Sequence, residues 1–360
     1  MSPNIVISLS NGDLLTFSIS NVDVSVVNAL RRTILTDIPT PVFKEEDMIF
    51  HKNTSRLNNE IIKQRLGCIP IFINDLNIPL DDYVVEIRKK NESNSVEFIT
   101  TEEFQIKNLK SDKYLKRDQV KKIFPPNKIT KDYILLTRLK PRITKNLTGE
   151  ELSLSAKMSI GVAKENGMYN VVSTVSFANK IDPIKQQQEW SKYEKQMQKL
   201  EMPDDERELE KLNWYNHQGK RYFTLNSFEF ILETLGNFTN EEIIKKACQI
   251  IISKLELIEI NKDSYDYEES KNTLPNSYDI ILKNEDYTIG KLLESILHNS
   301  FYLKKRILNY VGFIKEHPHN SSSIIRIAFS QKKEPGYVLN IINEACLIGK
   351  DIFTQISQNF

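Results

Sequence analysis

Cysteine is scarce: Cys68, Cys248 and Cys346 in 360 residues are too few and too scattered for a disulfide framework. None forms a Cys-x-x-Cys pair of the kind that begins a structural zinc site. An excess of one charge is also lacking. The 49 Lys and Arg stand against 48 Asp and Glu, which disfavours a globally basic nucleic-acid binder and a chain disordered throughout. No apolar run approaches the ~18 residues that span a bilayer. The opening MSPNIVISLSNGD has no basic segment followed by an apolar core, so neither membrane nor secretion is expected. Catalytic motifs are missing as well: there is no Gly-rich phosphate loop, no Gly-x-Ser-x-Gly and no His-Glu-x-x-His. His317-Pro318-His319 has no Cys or acidic residue at ligand spacing and reads as a loop entering a strand. Glu45-Glu46-Asp47, Asp81-Asp82 and Asp204-Asp205-Glu206 read as solvated loops rather than a Mg²⁺ site. The expectation is therefore no catalytic residue, no metal and no cofactor.

Repetition is present instead. Asp23 to Ile34 aligns without gaps on Asp286 to Leu297. In both copies an Asp precedes an apolar helical stripe, Val26, Leu30 and Ile34 in one and Ile289, Leu293 and Leu297 in the other, with the i, i+4, i+8 spacing of one buried face. A second signature, Ile-Ile-x-x-Ala-Cys-x-Ile, begins at Ile243 and again at Ile341, each time after a strand-like run. The two signatures are 220 positions apart in the first copy and 55 in the second, so the first copy carries 165 extra residues between its helices. An α+β unit with a large insertion, followed by a minimal unit of the same design, accounts for this spacing.

The remaining segments fit that outline. Asn11-Gly12 between two β-like runs signals a hairpin. The expected division is 1–45 plus 221–261 as a discontinuous first unit, 46–181 as a β-rich insert, 182–220 as a charged helical linker, 262–276 as a second linker and 277–360 as the second unit. Between Lys107 and Lys145 thirteen Lys and Arg face three Asp and no Glu. This stripe reads first as a solvated face, then as a surface for an acidic partner protein, and last as a phosphate contact of a stand-alone nucleic-acid-binding protein.

The segment from Asn21 to Thr40, with Asn28-Ala29-Leu30-Arg31-Arg32 followed by Ile38-Pro39-Thr40, resembles the alpha-motif helix of the alpha-like RNA polymerase subunits. The run NEIIKQRLGCIP ending at Pro70, together with Ser159-Ile160-Gly161 and Ser173-Thr174-Val175-Ser176-Phe177, is similar to further segments of the larger alpha-like subunits; their usual Trp-x-Pro is absent. Asn284 to Leu293, Val311-Gly312-Phe313 and His317-Pro318-His319 resemble the smaller alpha-like partner. A large and a small alpha-like subunit thus look fused, an arrangement similar to that of asfarviruses and other large cytoplasmic DNA viruses.

The resemblance implies an α+β fold in which two dimerisation units form an internal pseudo-dimer, the first interrupted by the β-rich insert. It implies a non-catalytic platform for assembling a DNA-directed RNA polymerase. The implied partners are the two largest subunits, especially the second-largest, and small zinc-ribbon subunits, with DNA reached only through the holoenzyme. The implied location is the host cytoplasm and the virion if the chain is viral, and otherwise intracellular. The subunit interface would use Asn28, Leu30, Arg31, Arg32 and Ile34 on the first helix and Asp286, Thr288, Gly290, Leu293 and Leu297 on its counterpart. It would also use Ile244 and Ala247, matched by Ile342 and Ala345. Arg31 and Arg32 are expected to meet the second-largest subunit, and Gly290 to act as a hinge. Some family members hold zinc or an iron-sulfur cluster through a Cys cluster in the insert, where this chain has only Cys68.

Overall fold

Alternating and helical apolar spacing translate into elements from the first residues. In the computed structural model, which describes residues 2–142, 144, 148–199, 203–260, 265–270 and 274–360, β1 (Asn4–Asn11) and β2 (Leu14–Ser20) form an antiparallel hairpin. Asn11 pairs with Leu14, so the turn is Gly12-Asp13, one residue later than the Asn-Gly reading. Gly12 has φ +57°, the left-handed conformation that a type II′ turn needs at its first central position. Helix α1 (Val24–Thr36) follows, and the Ser25 N–H donates to Asp23 Oδ1 at 2.8 Å, which caps it. Val26, Leu30 and Ile34 are buried along one face of α1.

Next come β3 (Thr40–Val42), β4 (Met48–Asn53), α2 (Asn59–Gly67), β5 (Tyr83–Lys90), β6 (Glu97–Thr100), β7 (Gln105–Asn108), β8 (Lys113–Tyr114), α3 (Arg117–Ile123), β9 (Leu135–Leu139), β10 (Glu151–Lys157) and β11 (Ser159–Gly161). They form a five-stranded sheet in the order β4-β10-β5-β7-β8 and two ribbons, β11-β3 and β6-β9. Leu152, Leu154 and Ala156 alternate into a core with Phe43, Phe104 and Phe124.

After β12 (Val172–Ile181), the segment read as a charged linker forms α4 (Pro183–Lys199) and α5 (Asp204–Asn216). It has a small core of its own. Trp190 and Trp214 are 1% and 7% exposed, with ring centroids 5.4 Å apart, and Tyr193, Tyr215 and Tyr222 pack around them. The aromatic stripe is narrow, and the surrounding Gln, Glu and Lys mask it in composition.

β13 (Phe223–Thr234) then completes a sheet in the order β1-β2-β13-β12 and leads to α6 (Asn240–Ile260). β14 (Tyr265–Glu269), within the expected second linker, pairs with β15 (Ser277–Lys283). Helix α7 (Tyr287–Leu297) runs into a π-helical turn, His298–Lys304, and β16 (Leu308–Ile314), β17 (Ser322–Phe329) and α8 (Pro335–Gln358) finish the chain. The last sheet is ordered β14-β15-β17-β16, and the cross-strand pair Asp279–Arg326 fixes its register with two hydrogen bonds of 2.6 Å. The fold is thus mixed α+β with several antiparallel sheets.

Two compact units result. One comprises Met1–Thr33, Thr174–Glu233 and Asn240–Phe360, and the other Ile34–Ser173 with Thr234–Thr239. Among the described residues no helix is long and apolar enough to cross a membrane.

Both tryptophans of the chain lie in the α4–α5 core, so selectively excited tryptophan fluorescence reports that hairpin. A core this small opens at a lower free energy than the sheets. In a urea titration the fluorescence midpoint should precede the far-UV circular dichroism midpoint; coincident midpoints would show that the hairpin unfolds with the rest.

Candidate functional site

Three helices of the first compact unit meet on their apolar faces. From α6 come Ile244, Ala247, Ile251 and Leu255, from α8 come Ile342, Ala345, Ile352 and Phe353, and from α7 come Leu293, Ile296 and Leu297, all buried. Helices α6 and α8 pack against each other, and α7 packs on α8. Small residues set the closeness of approach. A Cβ at Gly349 would stand 2.8 Å from Leu255 Cδ1 and 3.2 Å from Ile296 Cδ1, so the bare backbone of α8 is where α6 and α7 both reach it. Cys248 and Cys346, which follow Ala247 and Ala345 in the repeated signature, are buried here, and burial pushes each thiol up to about 12. Both stay protonated near neutral pH and act as small apolar groups.

Polar contacts frame this junction. Arg32 Nε donates to Thr288 Oγ1 at 3.0 Å, and its Nη2 lies 3.9 Å from Asp286 Oδ2. Asp286 also caps α7, accepting the Thr288 N–H at 2.9 Å, as Asp23 caps α1. Arg32 therefore ties α1 to the start of its repeat counterpart. Arg31 behaves differently. Its Nε and Nη2 donate to Asn28 Oδ1 at 3.2 and 2.9 Å, one helical turn back, while burial and then the neighbouring Arg32 charge lower its pKa. Lys254 of α6 lies 3.8 Å from Glu285, just ahead of α7, and Lys350 of α8 pairs with Glu259 of α6. At the end of the chain Phe360 packs edge-on against Phe17, which stacks on Phe230 of the first sheet.

The expected interface residues thus fall into groups. Leu30 and Ile34 are buried on α1; Ile244 and Ala247 lie on the helix that packs on that of Ile342 and Ala345; Leu293 and Leu297 lie on α7; and Arg32 meets Asp286 and Thr288. Arg31 and Asn28 are clipped to each other. Gly290 requires a correction. It lies inside α7 without a positive φ, and a Cβ there would come within 1.9 Å of Phe313 Cε2, so it is a packing site for an aromatic ring and not a hinge. Phe313 is held there by Tyr287, 5.3 Å away between ring centroids, and by its own N–H, which donates to Glu294 Oε1 at 3.0 Å. Sequence reasoning missed Phe313, Gly349, Leu255 and the Lys254–Glu285 pair. A glycine inside the apolar helical stripe of α8 was the available signal for Gly349.

The basic stripe is partly neutralised by its own surroundings. Lys107 lies 2.5 Å from Asp112, Lys110 2.6 Å from Asp82, Arg117 2.9 Å from Glu102 and Lys140 4.0 Å from Glu150. His317-Pro318-His319 forms an exposed turn in which His317 Nδ1 accepts the His319 N–H at 3.1 Å. Among the described residues no three His, Cys, Asp or Glu side chains converge on a possible metal position.

Residues 16–255 match the RNA polymerase Rpb3/Rpb11 dimerisation domain. The chain belongs to this family. Its relatives include the DNA-directed RNA polymerase subunit Rpo3 of Pyrococcus horikoshii, 28% identical over 263 residues, covering 67% of this chain and 91% of the relative. The subunit RPAC1 of DNA-directed RNA polymerases I and III of Saccharomyces cerevisiae is 23% identical over 290 residues, covering 67% and 82%. The RNA polymerase II subunit rpb3 of Dictyostelium discoideum is 37% identical over 76 residues, 21% of this chain and 24% of the relative. The Rpb3/Rpb11 match begins in β2, takes in α1 and ends inside α6.

Replacing Gly290 by Ala should destabilise the chain by ~1–3 kcal/mol through overpacking against Phe313. Adding Phe313→Leu should recover part of that loss. Urea unfolding of the two variants checks this; a neutral Gly290→Ala would mean that the ring moves aside without cost.

Proposed function

We propose that this chain is a non-catalytic assembly subunit of a multisubunit DNA-directed RNA polymerase, carrying a large and a small alpha-like dimerisation unit in one polypeptide. The observation that carries the reading is the packing of α6 on α8, the two helices bearing the repeated Ile-Ile-x-x-Ala-Cys-x-Ile signature, in a chain that belongs to the Rpb3/Rpb11 dimerisation family. On this reading 1–45 with 221–261 is the large unit, 46–181 its insert and 277–360 the small unit, paired about a pseudo-twofold axis as an isologous dimer would be. The segments 182–220 and 262–276 connect them, the first as the α4–α5 hairpin. Asn28, Leu30, Arg31, Arg32, Ile34, Ile244, Ala247, Asp286, Thr288, Gly290, Leu293, Leu297, Ile342 and Ala345 form or flank the pairing.

Fusion has a physical rationale. Tethering makes the pairing intramolecular, at an effective concentration set by the connection rather than by the amount of each partner. The paired units then form a platform for the two largest subunits. Arg31, half-buried on α1 and clipped to Asn28 of its own helix, is the better candidate for the second-largest subunit, because Arg32 is turned to Asp286 and Thr288. Small zinc-ribbon subunits complete the assembly, and DNA is met only through it. The fused arrangement further supports a viral polymerase working in the host cytoplasm and carried in the virion.

Two experiments test this. A chain cut between residues 270 and 274 and expressed as two halves should co-purify one-to-one, while the carboxy-terminal half alone aggregates through its uncovered apolar faces. Leu293→Asp should abolish the complex by burying an unpaired carboxylate; two stable, independent halves would overturn the internal pairing. Arg31→Ala should weaken capture of the second-largest subunit by ~10-fold, about 1.4 kcal/mol, and leave the chain's own urea midpoint unchanged. An unaltered titration would remove Arg31 from the docking surface.

A further inference from the structure

We propose that the loop Asn127–Asp132 is a docking knob for another protein of the polymerase, with Ile129 entering an apolar pocket whose rim carries carboxylates. The proposal rests on the assembly reading above, which supplies the partner. Ile129 is 90% exposed, more than any other large apolar side chain among the described residues. An aliphatic side chain on a flexible loop would carry little information, but this loop is built. Asn127 Oδ1 accepts the N–H groups of Ile129 and Thr130 at 2.8 and 3.0 Å. The Asn127 N–H donates to the Asp132 carbonyl at 2.8 Å, and the Lys131 N–H donates to the Asn127 carbonyl at 3.0 Å. Thr130 Oγ1 accepts the Asp132 N–H at 3.3 Å, and Lys131 closes the turn with φ +64°. Pro125 and Pro126 stiffen the approach. Phe124, immediately before them, is buried with its ring centroid 5.0 Å from that of Phe104 and 6.1 Å from that of Phe43. The tip is therefore held in one conformation by the core beneath it, and docking it orders little that is not already ordered.

Charge specifies the rim. Lys121 and Lys122 form the exposed last turn of α3, and Lys128 and Lys131 flank Ile129 within the loop. A pocket edged by Asp or Glu complements this arrangement, and the lysines would steer the encounter and reject basic surfaces. Nucleic acid fits less well. An isoleucine has no ring on which a base can stack, and the exposed aromatic of the same stripe, Tyr114, is held by its hydroxyl to Glu86 at 2.9 Å under the Lys107 ammonium, 5.8 Å from its ring.

The test is titration of the full-length chain into the remaining purified polymerase subunits. Ile129→Asp should weaken binding at least ~10-fold, whereas Ile129→Leu should stay within about threefold of wild type. Lys121→Glu with Lys122→Glu should weaken binding by a smaller factor that shrinks as salt rises. All variants should keep the wild-type melting temperature, because Ile129 and the α3 lysines are exposed. Equal binding by wild type and Ile129→Asp overturns the knob and leaves the assembly reading intact; a wild-type chain that does not bind overturns both. The same titrations against a short DNA duplex and against phosphatidylserine vesicles complete the test. A loss in Ile129→Asp confined to either probe overturns the protein-docking proposal in favour of that surface.

Discussion

Apolar burial where α6, α7 and α8 converge is the constraint on which the rest of this chain depends. Each buried Ile or Leu at such a crossing contributes roughly 1.5–3 kcal/mol relative to exposure, and the three helices supply them in repeating rows. Alanine, cysteine and glycine stand at Ala247, Cys248, Ala345, Cys346 and Gly349, where bulk would hold the helices apart. Both signature helices commit buried apolar residues to this junction. The α7–α8 segment, with its four-stranded sheet, is therefore incomplete without α6, and α6 is incomplete without it. The reach of Phe360 to the Phe17–Phe230 stack extends the same dependence to the first sheet.

Polar contacts at the junction orient more than they hold. Arg32 is 42% exposed on its side chain, and at 3.9 Å its ion pair with Asp286 contributes no more than ~0.2–1 kcal/mol. The Thr288 hydrogen bond adds direction, because a planar guanidinium meets a hydroxyl in a restricted geometry. The contact thus selects the relative rotation of α1 and the α7 cap among arrangements that apolar burial alone would tolerate. Asp279 with Arg326 has the corresponding role within the last sheet, where slippage by one residue would turn the buried face outward.

Much of this was legible in the residues. The periodic stripes and aspartate caps announce α1 and α7, and the repeated Ile-Ile-x-x-Ala-Cys-x-Ile signature marks α6 and α8 as copies of one design. Other features were not legible, for identifiable reasons. The Gly12 turn shifted by one residue because Asn11 extends the strand ladder instead of taking a positive φ. The α4–α5 hairpin was hidden because four of its own aromatic residues, joined by Tyr222, decide its core while more than twenty polar ones decide its composition. Gly290 read as a hinge because a glycine in a helix advertises either freedom or proximity, and only the position of Phe313 distinguishes them. The division of labour between Arg31 and Arg32 was likewise out of reach: adjacent arginines point about 100° apart on a helix, and the side on which Thr288 lies is a tertiary fact.

The central claim is that one polypeptide supplies both alpha-like units to a polymerase. Native mass spectrometry of the intact polymerase, purified through its largest subunit, measures this directly. The account predicts a single copy of this chain and no separate small alpha-like subunit. Two copies, or one copy accompanied by an independent small alpha-like chain, would contradict it.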